Sequence, residues 1–493
     1  MSSSPAPASF PRIAISNLEG RAQPTHYRQL QLHRLQTELT KSQIEIKASI
    51  RESAGHTLLE ADFEYALVLF ELREHYESLD PKNELATTRQ IELGNDNLDR
   101  SNSTSIVYVV PITHTLLYSV LSPVCTAIAA GSCVIVELPQ TLRSLTSTLR
   151  KLLCCSLDPD TCAISESRPA GDFLQQCTLV LQSWPESHPE TREACVSPSS
   201  LRAVAVVDRT AHVDEAARDI VSARFSRRGS SPYAPDTVLV NEFVLESFLA
   251  CLLQHMSPYM AHENGSVGDS FKQKERRPFA ESQRIFDTAE KSAGMRVVIR
   301  GSNGSIISVQ DRDADLLNKK ISGPVLIVHP ISSLDDGVDF ANQSADRTLA
   351  ASFIFAALPE ANYLANYIHA HISCVNHIPA ELLVGPIAPL HHAPSLSPRY
   401  SRSVFQEPRP QLLNKTVLTG LVETARNDSS DTRFAHWKKS LEVPLPPMNR
   451  KKGRDVDFFF QALLTGFTLV AVPVLVGLGI TVRYALPYIR TRL

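Results

Sequence analysis

The chain has 493 residues, 43% of them hydrophobic and 20% charged, so it is long enough for two or three packed domains rather than one core. Its formal net charge of -3 at pH 7 argues against a nucleic-acid partner, because such a binder would carry a basic stripe that releases counterions from phosphates. Its nine cysteines form no CxxC pair and no N-terminal signal peptide is visible, which favours free thiols in a reducing compartment.

The N-terminal part of the chain predicts a disordered segment followed by helices. Residues 1–24 are small, polar and proline-rich, and are predicted to be disordered. From His26 to about residue 50, apolar residues recur at helical spacing, and a second amphipathic run predicts a helix over residues 60–76.

The middle of the chain alternates β-branched runs with helical patterns. The predicted strands are 106–110, 133–136, 203–207, 237–240 and 325–328, and the predicted helices between them are 116–130 and 213–225. The cysteine- and proline-rich stretch that ends at about Ser200 is predicted to be irregular. Because strand, helix, strand is the unit of a parallel sheet, the fold class is predicted to be α/β.

The C-terminal part predicts a membrane anchor. Residues 390–457 are rich in proline, serine and basic residues and are predicted to be a closing segment and linker. From Phe458 to Val482 there is no ionisable side chain, and a helix of that length, about 37 Å, can cross a hydrocarbon core of about 30 Å. Basic residues on both sides, including the short tail 483–493, favour a single-pass tail anchor facing the cytosol over a buried core helix.

Several short stretches in the globular part share an order with one known family. They are Ser122-Pro123-Val124, Val207-Asp208, the loop Gly229 to Asp236 that ends in Ala-Pro-Asp, Ser322-Gly323-Pro324 and Cys374-Val375-Asn376. Together they resemble the aldehyde dehydrogenase superfamily, especially its membrane-anchored fatty-aldehyde branch, which is class 3-like. The resemblance implies a Rossmann-type cofactor domain over residues 25–202 and a catalytic-type α/β domain over residues 203–389. It also implies NAD or NADP as cofactor if the protein is active, and anchoring at the endoplasmic reticulum or peroxisome.

The positions that carry chemistry in that family hold other residues here. The family's nucleophilic cysteine falls on Pro232, and the asparagine of its oxyanion hole falls on His114. Its general-base glutamate falls near Pro198, in a register uncertain by a few residues, with Glu193 as the nearest carboxylate upstream. A thiolate attacks the aldehyde, amide donors hold the oxyanion and a carboxylate activates water, so these changes disfavour the standard dehydrogenase mechanism.

The family's cofactor-binding positions are also changed. A lysine that holds the adenine ribose falls on Glu137, and the glutamate and phenylalanine that bind the nicotinamide ribose fall on Lys320 and Ser322. Both charges are therefore reversed. No GxGxxG or GxTxxG phosphate turn occurs between Cys155 and Ser200, so the helix N-terminus that would receive a pyrophosphate lacks its glycines.

Other residues are candidates for a replacement chemistry. Cys195 and Cys374 are candidate nucleophiles, although a scattered cysteine is more often a small buried hydrophobic residue. A serine hydrolase built on Ser230, Ser231, His114 and Asp208 lacks a Gly-x-Ser-x-Gly elbow. The adjacent pairs Cys154-Cys155 and His391-His392 lack the spacing of a zinc site, so no metal is expected.

The leading hypothesis is a tail-anchored pseudoenzyme that lacks dehydrogenase activity, needs no cofactor and acts as a scaffold or regulatory partner. It would pair with itself or with an active relative. The alternative is a divergent membrane-bound NAD(P)-dependent oxidoreductase acting on long-chain or secondary-metabolite aldehydes. A third hypothesis is a lipid or acyl-chain binder that uses the old substrate tunnel.

Overall fold

The computed structural model describes residues 9–104, 106–169, 171–184, 194–261, 280–292, 294–301, 304–343, 348–390, 392–427, 432–446 and 458–490. The chain divides into two compact units, Met1–Asn414 and Lys415–Leu493. Within the described residues, every strand belongs to the first unit, and the second unit contains three helices.

The strands form three sheets. In chain order they are β1 (Ser101–Ser103), β2 (Ile106–Val110), β3 (Cys133–Glu137), β4 (Cys162–Ser165), β5 (Cys177–Trp184), β6 (Ala194–Pro198), β7 (Ala203–Val207), β8 (Thr237–Asn241), β9 (Met295–Arg300), β10 (Ser305–Val309), β11 (Val325–Ile331), β12 (Ala351–Phe355), β13 (Ser373–Val375) and β14 (Gln406–Pro408).

The α-helices surround the two larger sheets or lie in the C-terminal unit. They are α1 (Ser9–Leu18), α2 (Thr25–Lys41), α3 (Gln43–Ala54), α4 (Leu58–Glu77), α5 (Pro81–Thr88), α6 (Leu116–Ala130), α7 (Ser144–Ser156), α8 (Gly171–Leu174), α9 (Val213–Phe225), α10 (Leu245–Ala261), α11 (Ala280–Lys291), α12 (Leu334–Asn342), α13 (Leu358–Tyr367), α14 (Val417–Asn427), α15 (Arg433–Leu441) and α16 (Phe458–Arg490).

The first large sheet has five parallel strands in the order β4-β3-β2-β5-β6. Alternate side chains of β2 and β3 belong to the two hydrophobic cores on opposite faces of this sheet, because successive side chains of a strand point to opposite faces. Val107 and Val134 pack with helices α4, α6 and α7, whereas Ile106 and Ile135 pack with Phe10 of α1. Both faces are therefore covered, as parallel sheets require.

The second large sheet has seven strands in the order β13-β12-β7-β8-β11-β10-β9. All neighbours are parallel except β9 and β10, which are antiparallel. Every residue of the central strands β7 and β8 is buried. After this sheet the chain returns to the first one: Tyr400 and Phe405 are buried in its helical core, and β14 pairs antiparallel with β1.

The predicted α/β class is confirmed. Each predicted strand in the β-branched runs is present, and the helices predicted at 116–130 and 213–225 occupy those residues. The amphipathic run at 60–76 lies in α4, where Thr57 and Glu60 form a capping box. The single helix predicted from His26 is two helices, because the chain turns at Ser42, which caps both.

Predicted disorder over residues 1–24 is wrong for the described part of that segment. Helix α1 begins at Ser9, and its Phe10 and Ile13 are almost completely buried. Phe10 stacks on Phe173 with ring centroids 5.1 Å apart. These apolar side chains lie three residues apart on one helix face, and the proline and serine content of the segment concealed that pattern. Residues 1–8 lie outside the described residues.

Two further predictions were wrong in part. The stretch expected to be irregular contains helix α7 and strands β4, β5 and β6. The cysteine, threonine and serine residues of these strands gave only a weak strand signal. The predicted linker contains two helices, α14 and α15. The linker residues 447–457 and the tail residues 491–493 lie outside the described residues.

The last helix, α16, is long and apolar enough to cross a bilayer. Its candidate span is Phe460–Gly477, with a mean hydropathy of 1.9 and no part buried in protein. This window lies inside the predicted span, Phe458 to Val482.

Candidate functional site

The loop predicted to correspond to the family's nucleophile loop, called the nucleophile loop below, connects α9 with β8. Pro232 is buried in it and offers no ionisable group. Before it, Arg227, Arg228 and Gly229 have successive positive φ angles of 48°, 58° and 67°. At Gly229 a Cβ atom would lie 2.3 Å from the carbonyl oxygen of Gly323, so only glycine allows the loop to approach that segment so closely.

A lysine ties the nucleophile loop to the segment 320–324. The Nζ atom of Lys320 donates to the carbonyl oxygen of Pro232 at 2.5 Å and to Oδ2 of Asp236 at 3.0 Å. Its side chain is 17% exposed. Burial lowers the pKa of Lys320, and the carboxylate of Asp236 opposes that shift by favouring the charged form. Lys320 is thus directed into the protein, whereas Ser322 is exposed.

Asp236 is the centre of a buried ionic network. Its carboxylate accepts hydrogen bonds from the backbone N–H groups of Ala203, at 2.8 Å, and Ile321, at 3.0 Å. A second cation, Arg224, lies 3.4 Å from Oδ1, and both side chains are completely buried. Arg224 also donates to the carbonyl oxygens of Ile321 and Gly323, so two cations and one carboxylate hold the loop and the segment 320–324 together.

His114 lies between β2 and α6, and both of its ring nitrogens have partners. Because a carbonyl only accepts, Nε2 carries the proton and donates to the carbonyl oxygen of Leu383 at 3.0 Å. Nδ1 lies 3.0 Å from Oγ of Ser230, whose proton is shared with the carbonyl oxygen of Arg227 at 2.7 Å. Burial, the largest cause, lowers the pKa of His114 to about 3, so the ring is neutral.

The structure brings together Ser230 and His114 but not the remainder of a hydrolytic triad. Asp208 accepts hydrogen bonds from the N–H and hydroxyl groups of Thr210 at 3.1 and 2.7 Å. Ser231 accepts from the N–H of Tyr233 at 3.3 Å. A histidine with a pKa of about 3 is a poor general base at neutral pH, so the pair does not activate Ser230.

Two acids of α4, Glu60 and Glu64, were not predicted as site residues. Glu60 accepts a hydrogen bond from the backbone N–H of Arg227 at 2.6 Å, which joins α4 to the loop before Pro232. Glu64 is completely buried, accepts from the N–H of Tyr118 at 3.3 Å, and has its pKa raised to about 7, chiefly by burial. A signal for Glu64 was present, since it shares a helix face with the apolar Ala61 and Val68.

Glu137, at the end of β3, has partners within the protein. The Tyr108 hydroxyl donates to its Oε2 at 2.9 Å, and Nε of Arg168 lies 3.2 Å from the same atom. Burial and this nearby carboxylate raise the pKa of Tyr108 above its usual value, so the tyrosine remains a donor.

The predicted general-base position lies at the end of β6. Pro198 ends β6 and is followed by Ser199 and Ser200, while Glu193 lies outside the described residues. β5 and β6 are parallel neighbours, and nine residues, 185–193, separate them in the chain. A helical crossover between parallel strands takes about a dozen residues or more, so this connection is short.

The candidate replacement thiols differ in their surroundings. Sγ of Cys195, on β6, lies 3.8 Å from Nε2 of His392. Burial raises the pKa of Cys374 to about 11, which keeps it a thiol at neutral pH. His391, the other half of the predicted histidine pair, lies outside the described residues, and within the described part of the chain no cluster of three metal-ligating side chains occurs.

Comparison with known proteins agrees with this architecture. Residues 201–386 match the model of the aldehyde dehydrogenase family. The substrate-bound state of Staphylococcus aureus AldH is 15% identical, with a TM-score of 0.65, and the match covers 88% of this chain and 99% of that one. Lactaldehyde dehydrogenase from Escherichia coli is 14% identical, with a TM-score of 0.63, and covers 82% of this chain and 90% of its own.

A third solved structure has the same fold. It is an NAD-dependent benzaldehyde dehydrogenase from Corynebacterium glutamicum, 14% identical with a TM-score of 0.61, and the match covers 83% of this chain and 89% of that one. At such identities the structural likeness establishes the fold, and the family match over residues 201–386 adds the sequence relation. Residues 201–386 therefore match the aldehyde dehydrogenase family in sequence, and the chain has the fold of aldehyde dehydrogenases.

Proposed function

We propose that this protein is a tail-anchored pseudoenzyme, related to the membrane-anchored fatty-aldehyde branch of its superfamily, that acts as a scaffold or regulatory partner. The observation that carries the proposal is the bond from Lys320 Nζ to the carbonyl oxygen of Pro232. It joins the position of the family's ribose-binding carboxylate to the position of its nucleophile. Two positions that would handle cofactor and substrate are used instead to hold the protein together.

Loss of the nucleophile supports the absence of the standard reaction. Proline has no thiol, so no thiohemiacetal can form at position 232. His114, at the predicted oxyanion-hole position, has no free donor for an oxyanion, because the one N–H of its neutral ring donates to the carbonyl oxygen of Leu383. Residues that act as a unit in covalent catalysis fail as a unit, leaving only residual binding effects.

The ribose-binding positions do not suit NAD or NADP. A ribose hydroxyl at the Lys320 position would face an ammonium group already engaged by Asp236, and not a free carboxylate acceptor. At the other position, Glu137 accepts from Tyr108 and pairs with Arg168. The sequence between Cys155 and Ser200 also contains no GxGxxG or GxTxxG turn, which further disfavours pyrophosphate binding at a helix N-terminus.

Calorimetric titration of the detergent-solubilised full chain with NAD and with NADP tests the proposal. We expect no heat of binding for either nucleotide, and no aldehyde-dependent nicotinamide reduction. The variant Pro232→Cys restores a thiol at the nucleophile position, and we expect it to remain inactive because the ribose positions are still changed. Micromolar nucleotide affinity, together with turnover that one cysteine substitution abolishes, would refute the proposal.

A divergent NAD(P)-dependent aldehyde oxidoreductase is the second candidate, and one contact favours it. Nε2 of His392 lies 3.8 Å from Sγ of Cys195, and a cysteine beside a histidine is the arrangement of cysteine nucleophiles activated by a base. If this pair were a replacement nucleophile, Cys195→Ser would abolish aldehyde turnover while Cys374→Ser would preserve it. The 4% exposure of Cys195 argues against ready access for a substrate.

A further inference from the structure

Two short helices of the C-terminal unit have apolar faces that are exposed or half-buried among the described residues. In α14, five apolar residues occupy one side of the helix while Thr419, Glu423 and Arg426 lie on the other. The apolar set is Val417, Leu418, Leu421, Val422 and Ala425. No residue of α14 is buried, and Val417 is 81% exposed.

The second helix, α15, has an aromatic face bordered by cations. Phe434, Trp437 and Leu441 recur at helical spacing, and the rings of Phe434 and Trp437 are 5.7 Å apart. Arg433 and Lys438 flank this face on its two sides. No residue of α15 is buried. A helix with Trp, Phe and Leu on one face and basic residues beside it is the pattern of helices that lie in a membrane interface.

These helices require a covering surface to be stable. Isolated helices shorter than about 12 residues are marginal in water, because helix stability in proteins comes mainly from packing of the apolar face. α14 has 11 residues and α15 has 9. They contact each other. Phe434 and Trp437 are half-buried, whereas Val417, Val422 and Leu441 remain exposed.

The position of these helices in the chain selects the bilayer as the covering surface. Sixteen residues, 442–457, separate α15 from the apolar helix α16. Even fully extended, a segment of that length reaches no more than about 60 Å. Between residues 433 and 454 the sequence has seven lysines and arginines and one acidic residue. Each basic residue near an anionic membrane contributes about 1 kcal/mol of attraction.

We propose that α14 and α15 lie in the headgroup region of an anionic phospholipid bilayer, with Trp437 among the upper acyl carbons. This inference depends on the proposed anchoring by α16 but makes a separate claim about the residues before it. The apolar faces enter the bilayer surface, and Arg433, Lys438 and Lys439 contact lipid phosphates. The globular unit is thereby attached to the membrane by an interfacial pair of helices as well as by a span.

Depth-dependent fluorescence quenching tests this arrangement. The full chain is reconstituted in vesicles of phosphatidylcholine and phosphatidylserine, with and without bromine on the upper acyl carbons. The emission of Trp437 is obtained as the difference between the wild-type chain and Trp437→Phe, because the sequence contains two tryptophans. We expect this emission to be shifted to shorter wavelength, quenched by the brominated lipid and protected from aqueous acrylamide.

A pair of matched variants and an independent assay of the span separate the outcomes. Val422→Asp places a charge on the apolar face of α14 and should reduce quenching by brominated lipid, whereas Thr419→Asp on the opposite face should not. Resistance to alkaline carbonate extraction reports the span alone. If extraction resistance is kept but Trp437 is quenched by acrylamide, or is shielded from both quenchers by protein, the interfacial proposal is refuted and the anchor stands. If the chain is extracted, both proposals fail.

Discussion

Asp236 joins the loop before β8 to the segment 320–324. Its two oxygens serve two buried cations and two backbone N–H groups, so the carboxylate loses little when it leaves water. Lys320 is part of the same network and also fixes the carbonyl of Pro232. Charged residues at this site therefore contribute to structure, since each satisfies a partner within the protein.

The buried ring of His114 makes the free energy of unfolding depend on pH. Its pKa is about 3 in the folded chain and about 6.5 in an unfolded one. Below about pH 6.5 the unfolded chain binds a proton at this ring and the folded chain does not. The free energy of unfolding therefore falls with decreasing pH, by about 1.4 kcal/mol per pH unit, until the folded pKa is reached.

We expect the variant His114→Asn to lack this contribution. Between about pH 4.5 and 6, its free energy of unfolding in urea should depend on pH less steeply than that of the wild type, by about 1.4 kcal/mol per unit. Glu64, whose pKa is raised to about 7, acts in the opposite direction but is present in both proteins and cancels from the difference. Parallel pH profiles for the two proteins would show that His114 is not buried in its neutral form.

Among the helices and strands, the sequence predicted those that form from a clear local pattern of residues. β7 and β8 are continuous Val, Ala and Leu runs with a helix between them, and that order specifies a parallel sheet. β4 to β6 escaped prediction because their strand signal is weak and their stability comes from neighbouring strands. α1 was missed because its apolar face becomes evident only against the sheet that covers it.

The resemblance proposes positions for the candidate site but predicts none of their contacts. Resemblance located Pro232, His114, Glu137 and Lys320 along the chain, yet no local pattern places Lys320 against a carbonyl 88 residues away. The same holds for His114 and Leu383, which are 269 residues apart. Such pairings depend on how whole elements pack, and a single sequence carries no direct record of them.

The contact between two loops gives a prediction at this scale. We expect Gly229→Ala to lower the free energy of unfolding by more than about 1 kcal/mol, since a non-glycine residue is strained at positive φ and the new methyl group meets backbone that cannot yield. Gly420→Ala is the matched control: no atom lies within 4 Å of its Cβ position, and alanine favours helix α14. Urea denaturation followed by circular dichroism measures both. Equal midpoints for the two variants would contradict the close approach of Gly229 to Gly323.

For the whole molecule, the superfamily fold and the apolar C-terminal helix lie in different units of the chain. The fold spans the region matched by the solved structures, whereas α16 has the length and hydropathy of a membrane span. A protein that keeps a catalytic fold with altered reactive positions, and is attached to a membrane, can still present its surface to other proteins at that membrane. Its proposed role as a scaffold or partner of an active relative therefore depends on the anchor as much as on the fold.

The anchor is tested by charges placed in the middle of α16. Leu469 and Val472 lie near the centre of the candidate span and are mostly exposed. An arginine at the centre of a membrane helix costs about 2.5–3.5 kcal/mol by insertion scales, so the double variant Leu469→Arg, Val472→Arg should insert far less than the wild type. In a cell fractionation the wild-type chain should stay with carbonate-washed membranes and the double variant should move to the soluble fraction. Leu469→Ala, Val472→Ala keeps the helix apolar and should stay with the membranes. Were the arginine variant retained as fully as the alanine variant, α16 would not be the element that holds this protein at a membrane.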